Sequence, residues 1–197
     1  MSDARRFDAA YYRRYYEQHS TRVADDKSVE RLAAFVVSYL RYLKLPVRSV
    51  LDLGCGMGHW RTALGKLLPR ASYRGVEWSE YQCERMGFER GSVVDYAPQR
   101  TFDLVVCQGV LQYLDDRDAA RAMQNLARLT HGALYLEALT RRDWKQNVDT
   151  AVTDGEVHLR TGAWYMQRLR RKFVPLGGGL FVRRDAGVSL FELESLA

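Results

Sequence analysis

Two kinds of apolar pattern alternate along this chain. The short apolar run at residues 50–53 reads as a buried parallel strand, and residues 71–77, ending in an acid, 102–107 and 133–139 read as further strands. Between them apolar residues recur at helical spacing. Val29, Leu32, Ala33, Val36, Leu40 and Leu43 trace one face, and Ala119, Ala122, Met123, Leu126 and Leu129 another. A helix also follows residue 58 as far as Leu68, and a last one spans residues 163–172, with Trp164 and Leu169 as core contacts. Strands alternating with helices predict an α/β fold with a parallel sheet.

Punctuation residues place the boundaries. Asp8 is a cap for a first helix on which Phe7, Tyr11 and Tyr15 fall four apart, and Asp25 and Asp26 open the second. Pro46 and Pro69 stop helices. Ser79 and Gln82 form a capping box, Asp118 caps the helix that ends at Leu129 with Gly132 as its stop, and Thr161 caps the last helix. Residues 172–176 and 180–184, joined by glycines 177–179, predict a closing pair of strands. The tail from Gly187 reads as an edge strand or irregular chain. Residues 140–161 are polar and without period, which predicts a long loop, and a loop of that length in a compact domain is usually functional.

Composition narrows the class. At 197 residues the chain fits one domain, 1–197, with residues 1–45 as an N-terminal helical cap. No segment approaches a membrane span, and the first residues lack the apolar stretch of a signal peptide. Three cysteines, unclustered and without a Cys-x-x-Cys, predict reduced thiols in the cytoplasm rather than disulfides or a metal. The net charge of +6 raises nucleic acid as a partner, yet the basic residues are scattered as pairs, which favours a solvated surface.

The chemistry concentrates after the first strand. Asp52 is followed by Gly54, Cys55, Gly56, Met57 and Gly58, glycine at every second position before a helix start. Such a loop turns sharply and lets a ligand lie against bare backbone. A dinucleotide fingerprint needs its third glycine one residue later, where His59 stands, and a carboxylate at Asp52 suits a cationic group better than a pyrophosphate. Glu77 ends the second strand, placed to accept two ribose hydroxyls, with Trp78 beside it. Gln108 and Gly109 emerge at the C-terminal end of the strand predicted at residues 102–107, where open α/β sheets bind ligands.

This ordered series resembles motifs I to IV of the class I S-adenosylmethionine (SAM)-dependent methyltransferases, over residues 50–139. The resemblance implies a Rossmann-like three-layer sandwich, a mostly parallel seven-stranded sheet with helices on both faces and its last strand antiparallel. It implies SAM as cofactor and S-adenosylhomocysteine (SAH) as product, held by Asp52, Gly54, Cys55, Gly56, Gly58, Glu77, Trp78, Val93 and Gln108. Where relatives carry Gly-Asp for the adenine amino group, this chain has Gly91-Ser92, so either Ser92 or Asp95 takes that place. No catalytic residue is fixed by it; the candidates facing the acceptor are Tyr15, Gln112, Tyr113, Glu137 and His158. No Asn/Asp-Pro-Pro-Tyr/Phe motif of base-amino methyltransferases occurs. The expected reaction is methyl transfer to oxygen or nitrogen of a small molecule; RNA or protein as acceptor, or SAM binding without transfer, are the alternatives. Oligomeric state is left open.

Overall fold

In a computed structural model, residues 6–17 and 26–195 are described. The expected cap at Asp25 and the first five residues lie outside them. The elements are α1 (Ala9–Tyr12, continuing as a π turn, Arg13–Glu17), α2 (Asp26–Tyr42), β1 (Ser49–Leu53), α3 (His59–Leu67), β2 (Ser72–Glu77), α4 (Glu80–Met86) and β3 (Glu89–Arg90). They continue as β4 (Phe102–Gln108), α5 (Asp116–Leu129), β5 (Thr130–Glu137), α6 (Arg141–Gln146), α7 (Gly162–Leu169), β6 (Phe173–Gly177) and β7 (Leu180–Arg183). The seven strands form one sheet in the order β3-β2-β1-β4-β5-β7-β6, in which β7 runs opposite to the other six and so pairs antiparallel with both β5 and β6.

The core divides into two layers because the central strands are apolar on both faces. Val29, Ala33, Val36 and Leu40 of α2 pack with Trp60 and Leu64 of α3 against one face. Ala119, Ala122, Leu126 and Leu129 of α5 and Leu169 of α7 cover the other. Burying aliphatic side chains this fully is worth roughly 1.5–3 kcal/mol each. Strand order reverses between β1 and β4, and the crevice above their C-terminal ends is the topological switch point where such sheets bind ligands. At the opposite ends, Asp103 accepts from the Arg48 and Ser49 backbone N–H groups, pinning the start of β4 to that of β1, remote from the crevice.

Several boundaries differ from the sequence expectation, each for a local reason. The cap of α5 is Asp115, whose side chain accepts from Asp118 N–H; Asp118 sits inside the first turn. Gly132 does not stop that helix but lies within β5, where a Cβ would meet the Asp103 carbonyl oxygen at 2.6 Å. Ser79 caps α4, but the reciprocal half of the box is missing, because Ser79 N–H donates to Glu77 and the Gln82 amide turns to Met57 Sδ at 3.2 Å. Residues 140–161 are not all loop: a capping box of Thr140 and Asp143 starts α6. The tail forms a 3-10 turn, Glu192–Glu194, instead of a strand.

Candidate active site

The glycine loop joins β1 to α3 with Gly54, Gly56 and Gly58 all at positive φ (79°, 48° and 75°). A side chain at Gly54 would run into Val110 Cγ2 at 2.3 Å, so the loop is held against the segment after β4. At Gly56 a Cβ would meet nothing within 4 Å, because that face is open to a cavity. The loop is tied down by Gly54 and Cys55 N–H groups donating to the Val76 carbonyl at the end of β2.

Glu77 organises the neighbouring wall. It is 5% exposed and accepts from Gly56 N–H (2.8 Å), Trp78 N–H (2.9 Å) and Ser79 N–H (2.9 Å), with the Tyr12 hydroxyl at 3.5 Å. Burial pushes its carboxyl up, and the backbone donors pull it back down. Gly54, Gly56, Glu77, Trp78, Ser92, Val93 and Gln108 share one cavity of about 740 Å³, mouth included. Of the two adenine candidates the structure brings Ser92 to this wall and leaves Asp95 exposed outside it. Cys55 is buried just behind the loop, and burial pushes its thiol up.

Asp52 is also behind the wall. It is 2% exposed and accepts from the Tyr73 hydroxyl of β2 at 2.6 Å. Burial pushes its carboxyl up to about 7, the Tyr73 bond opposes this, and the charge of Glu77 adds to it. A carboxylate so placed acts on a cation in the cavity through the field, not by contact.

The roof comes from α1. Asp8 caps it as expected, and Tyr11, Tyr12 and Tyr16 line the cavity. Tyr11 shares a 2.8 Å hydrogen bond with the Tyr113 hydroxyl, and Ser79 Oγ donates to the Phe7 carbonyl. Burial pushes the Tyr11 and Tyr12 hydroxyls upward, so both stay protonated and able to donate.

A second chamber of about 960 Å³, mouth included, adjoins the first and shares Tyr11, Tyr16, Gly109 and Tyr113 with it. Its other walls include Tyr15, Gln112, Glu137 and Asp154. Glu137, at the end of β5, accepts from Gln108 Nε2 (2.8 Å) and Tyr135 OH (3.2 Å), and Gln108 in turn accepts from Trp60 Nε1 (2.7 Å). Gln112 Oε1 is buried without a hydrogen-bond partner among the described residues. Four of the five acceptor-side candidates therefore meet here. The fifth, His158, does not: its side chain is exposed and lines neither chamber, although its N–H donates to the Gln112 carbonyl.

Two arginines were not singled out from the sequence. Arg160, 4% exposed, donates to Asp116 Oδ1 (2.8 Å) and to the carbonyls of Leu111 and Leu114, clamping the turn that carries Gln112 and Tyr113. Arg6 donates to Asp154 Oδ2 at 2.7 Å and lies over the Tyr113 ring, joining the N-terminal segment to the 140–161 insertion. No local signal marks either, since each partner is remote in sequence. Among the described residues no three His, Cys, Asp or Glu side chains gather as metal ligands, and no helix is long and apolar enough to cross a membrane.

Residues 51–132 match a family model described as a methyltransferase domain. No curated protein matches the chain significantly in sequence. Among solved structures, the chain is similar to magnesium protoporphyrin IX methyltransferase from Synechocystis PCC 6803 with bound SAH, at 19% identity and a TM-score of 0.63, covering 91% of this chain and 97% of that one. DesVI of Streptomyces venezuelae matches at 16% identity and a TM-score of 0.63, covering 90% and 99%. An O-methyltransferase family protein from Burkholderia thailandensis matches at 18% identity and a TM-score of 0.57, covering 89% and 64%. Residues 51–132 therefore carry a methyltransferase-domain match, and the seven-stranded sheet with its strand–glycine-loop–helix unit has the fold of these solved methyltransferases.

Proposed function

We propose that this protein transfers a methyl group from SAM to an oxygen or nitrogen of a small molecule. SAM is held in the cavity over β1, β2 and β4, and the acceptor in the adjoining chamber. The observation that carries this reading is the shared wall: Tyr11, Tyr16, Gly109 and Tyr113 border both spaces, so two ligands can meet there away from bulk water.

The residues present fit SAM. Glu77 offers a carboxylate at the cavity wall for the ribose hydroxyls, Gly56 leaves open space beside it, and Trp78 and Val93 give an apolar lining for the adenine. Trp78 Nε1, buried without a partner among the described residues, is a donor available to a ligand. Bound SAM supplies an activated methyl on a sulfonium, already a good leaving group. What the chain contributes is alignment and exclusion of water, which can supply up to about 7–11 kcal/mol of barrier reduction. Tyr11 and Tyr113 close the roof, and Gln108 and Glu137 sit as a hydrogen-bonded pair on the acceptor side. Glu137 and the unpartnered Gln112 Oε1 are acceptor atoms able to orient an O–H or N–H group. Localisation in the cytoplasm belongs to this proposal and follows from the cysteine usage.

The test is a SAH-release assay on the full chain against a panel of small phenols, hydroxy acids, amino sugars and amines, beside RNA and protein acceptors. Turnover restricted to small molecules supports the reading. Turnover only with RNA or protein, or SAM binding with no SAH released by any acceptor, rejects it.

A further inference from the structure

The far end of the sheet carries a concave surface that methyl transfer does not use. It is lined by Arg128, Arg168, Arg170, Arg171, Lys172 and Arg183. Its single carboxylate, Asp185, is already taken by Arg183, which donates to both oxygens at 2.8 and 2.6 Å. The groove lies where β4, β5 and β6 begin and β7 ends, and where α5 and α7 end. Across the eight residues of β5, at about 3.3 Å each, that is over 20 Å from Glu137. A ligand bound there is not the methyl acceptor.

Part of this charge has a structural use. Arg128 donates to the Tyr96 carbonyl and Arg168 to the Trp164 carbonyl, in keeping with cations near helix C-termini. Arg170, Arg171 and Lys172 have no such explanation. All three side chains are exposed and, among the described residues, make no hydrogen bond or ion pair. Of the three, Lys172 alone shares the field of a carboxylate, that of Asp185, and like charges gathered with so little counter-charge cost free energy unless an anion neutralises them.

The remaining walls say which anion. Thr101, Gln124, Thr130 and Gln167 are polar, Ala120, Met123 and Ala127 are small or apolar, and the one aromatic ring in the lining is the exposed imidazole of His131. A protein partner is anchored by buried aromatic and aliphatic groups, and interfaces are poor in lysine. Single-stranded nucleic acid stacks successive bases on several aromatic platforms, and the lone His131 supplies no such row. The dominant groups, guanidinium forks beside hydroxyls and amides, suit phosphodiester oxygens. We propose that this groove binds the phosphate backbone of double-stranded nucleic acid without reading its sequence.

The test is fluorescence anisotropy of the full chain with labelled RNA and DNA duplexes of about 20 base pairs, from about 50 to about 200 mM salt. The proposal expects binding to both, equal competition by an unrelated duplex sequence, and log K falling linearly with log salt. The exposed variant R170E/R171E/K172E is expected to bind at least tenfold more weakly with a shallower salt slope, while its SAM titration stays that of the parent. Four outcomes overturn it: no duplex binding at the lowest salt, unchanged binding by the variant, displacement by polyglutamate as readily as by duplex, or preference for one sequence.

Discussion

The two chambers of this protein are built in different ways. The chamber proposed for SAM has a floor of strand ends and backbone, the glycine loop, the Glu77 carboxylate fixed by three N–H donors and Gln108 at the end of β4, under the tyrosine roof of α1. The chamber proposed for the acceptor is made of side chains from segments far apart in sequence, held by Tyr11–Tyr113, Arg6–Asp154 and Arg160 on the Leu111 and Leu114 carbonyls. The first is dictated by geometry that any ligand of its class needs. The second is a particular solution, and its tethers are single contacts that one substitution removes.

That contrast can be broken from either side. The largest effect is expected at Arg160→Ala, which strips two buried carbonyls of a charged donor at about 1–3 kcal/mol each, so chemical denaturation should show a loss of about 3 kcal/mol or more. Turnover should fall with it, while SAM affinity stays within a few-fold; a large loss of SAM affinity would mean the chambers are not separable. Next comes Glu77→Ala, for which calorimetry should show SAM affinity at least tenfold weaker with the circular dichroism spectrum unchanged. Binding like the parent would remove Glu77 from the site. Glu137→Gln should be smaller and confined to the other chamber, lowering kcat several-fold with SAM affinity unchanged; an altered SAM affinity would place Glu137 with the cofactor.

The smallest expected effect concerns Asp52. Its carboxyl is raised from 3.8 to about 7, chiefly by burial, so the folded chain holds a proton there that the unfolded chain has lost. Its contribution to stability is therefore full below pH 3.8 and declines as pH rises toward 7. Asp52→Asn should flatten the stability profile in that window. A cation in the cavity favours the ionised carboxylate, so SAM affinity should rise modestly from pH 6 toward about 8 in the parent and lose that dependence in Asp52→Asn. A parent titration flat in pH would show that Asp52 does not sense the ligand.

How much was legible follows the same division. Alternating strands and helices, the glycine loop and Glu77 could be read because periodicity and backbone demands are local properties of sequence. Asp52 could be read as an acid beside the loop but not as a buried one, since Tyr73, which holds it, belongs to the neighbouring strand. Arg160 looks like any other arginine of a polar stretch until its carbonyl partners are brought to it. The six residues of α6 lack an apolar face, and only the Thr140-x-x-Asp143 spacing marks their start. The two residues of β3 are too few to show a period. The basic pairs looked scattered along the chain, and folding gathers several of them into one groove.

The most direct test of the central claim is calorimetric titration of the full chain with SAM, SAH and NADH side by side. Micromolar binding of SAM and SAH and none of NADH is expected, because His59 stands where a dinucleotide loop needs its third glycine and the Asp52 carboxylate is a poor neighbour for a pyrophosphate. Binding of NADH, or of none of the three, would contradict it and leave the fold without the proposed chemistry.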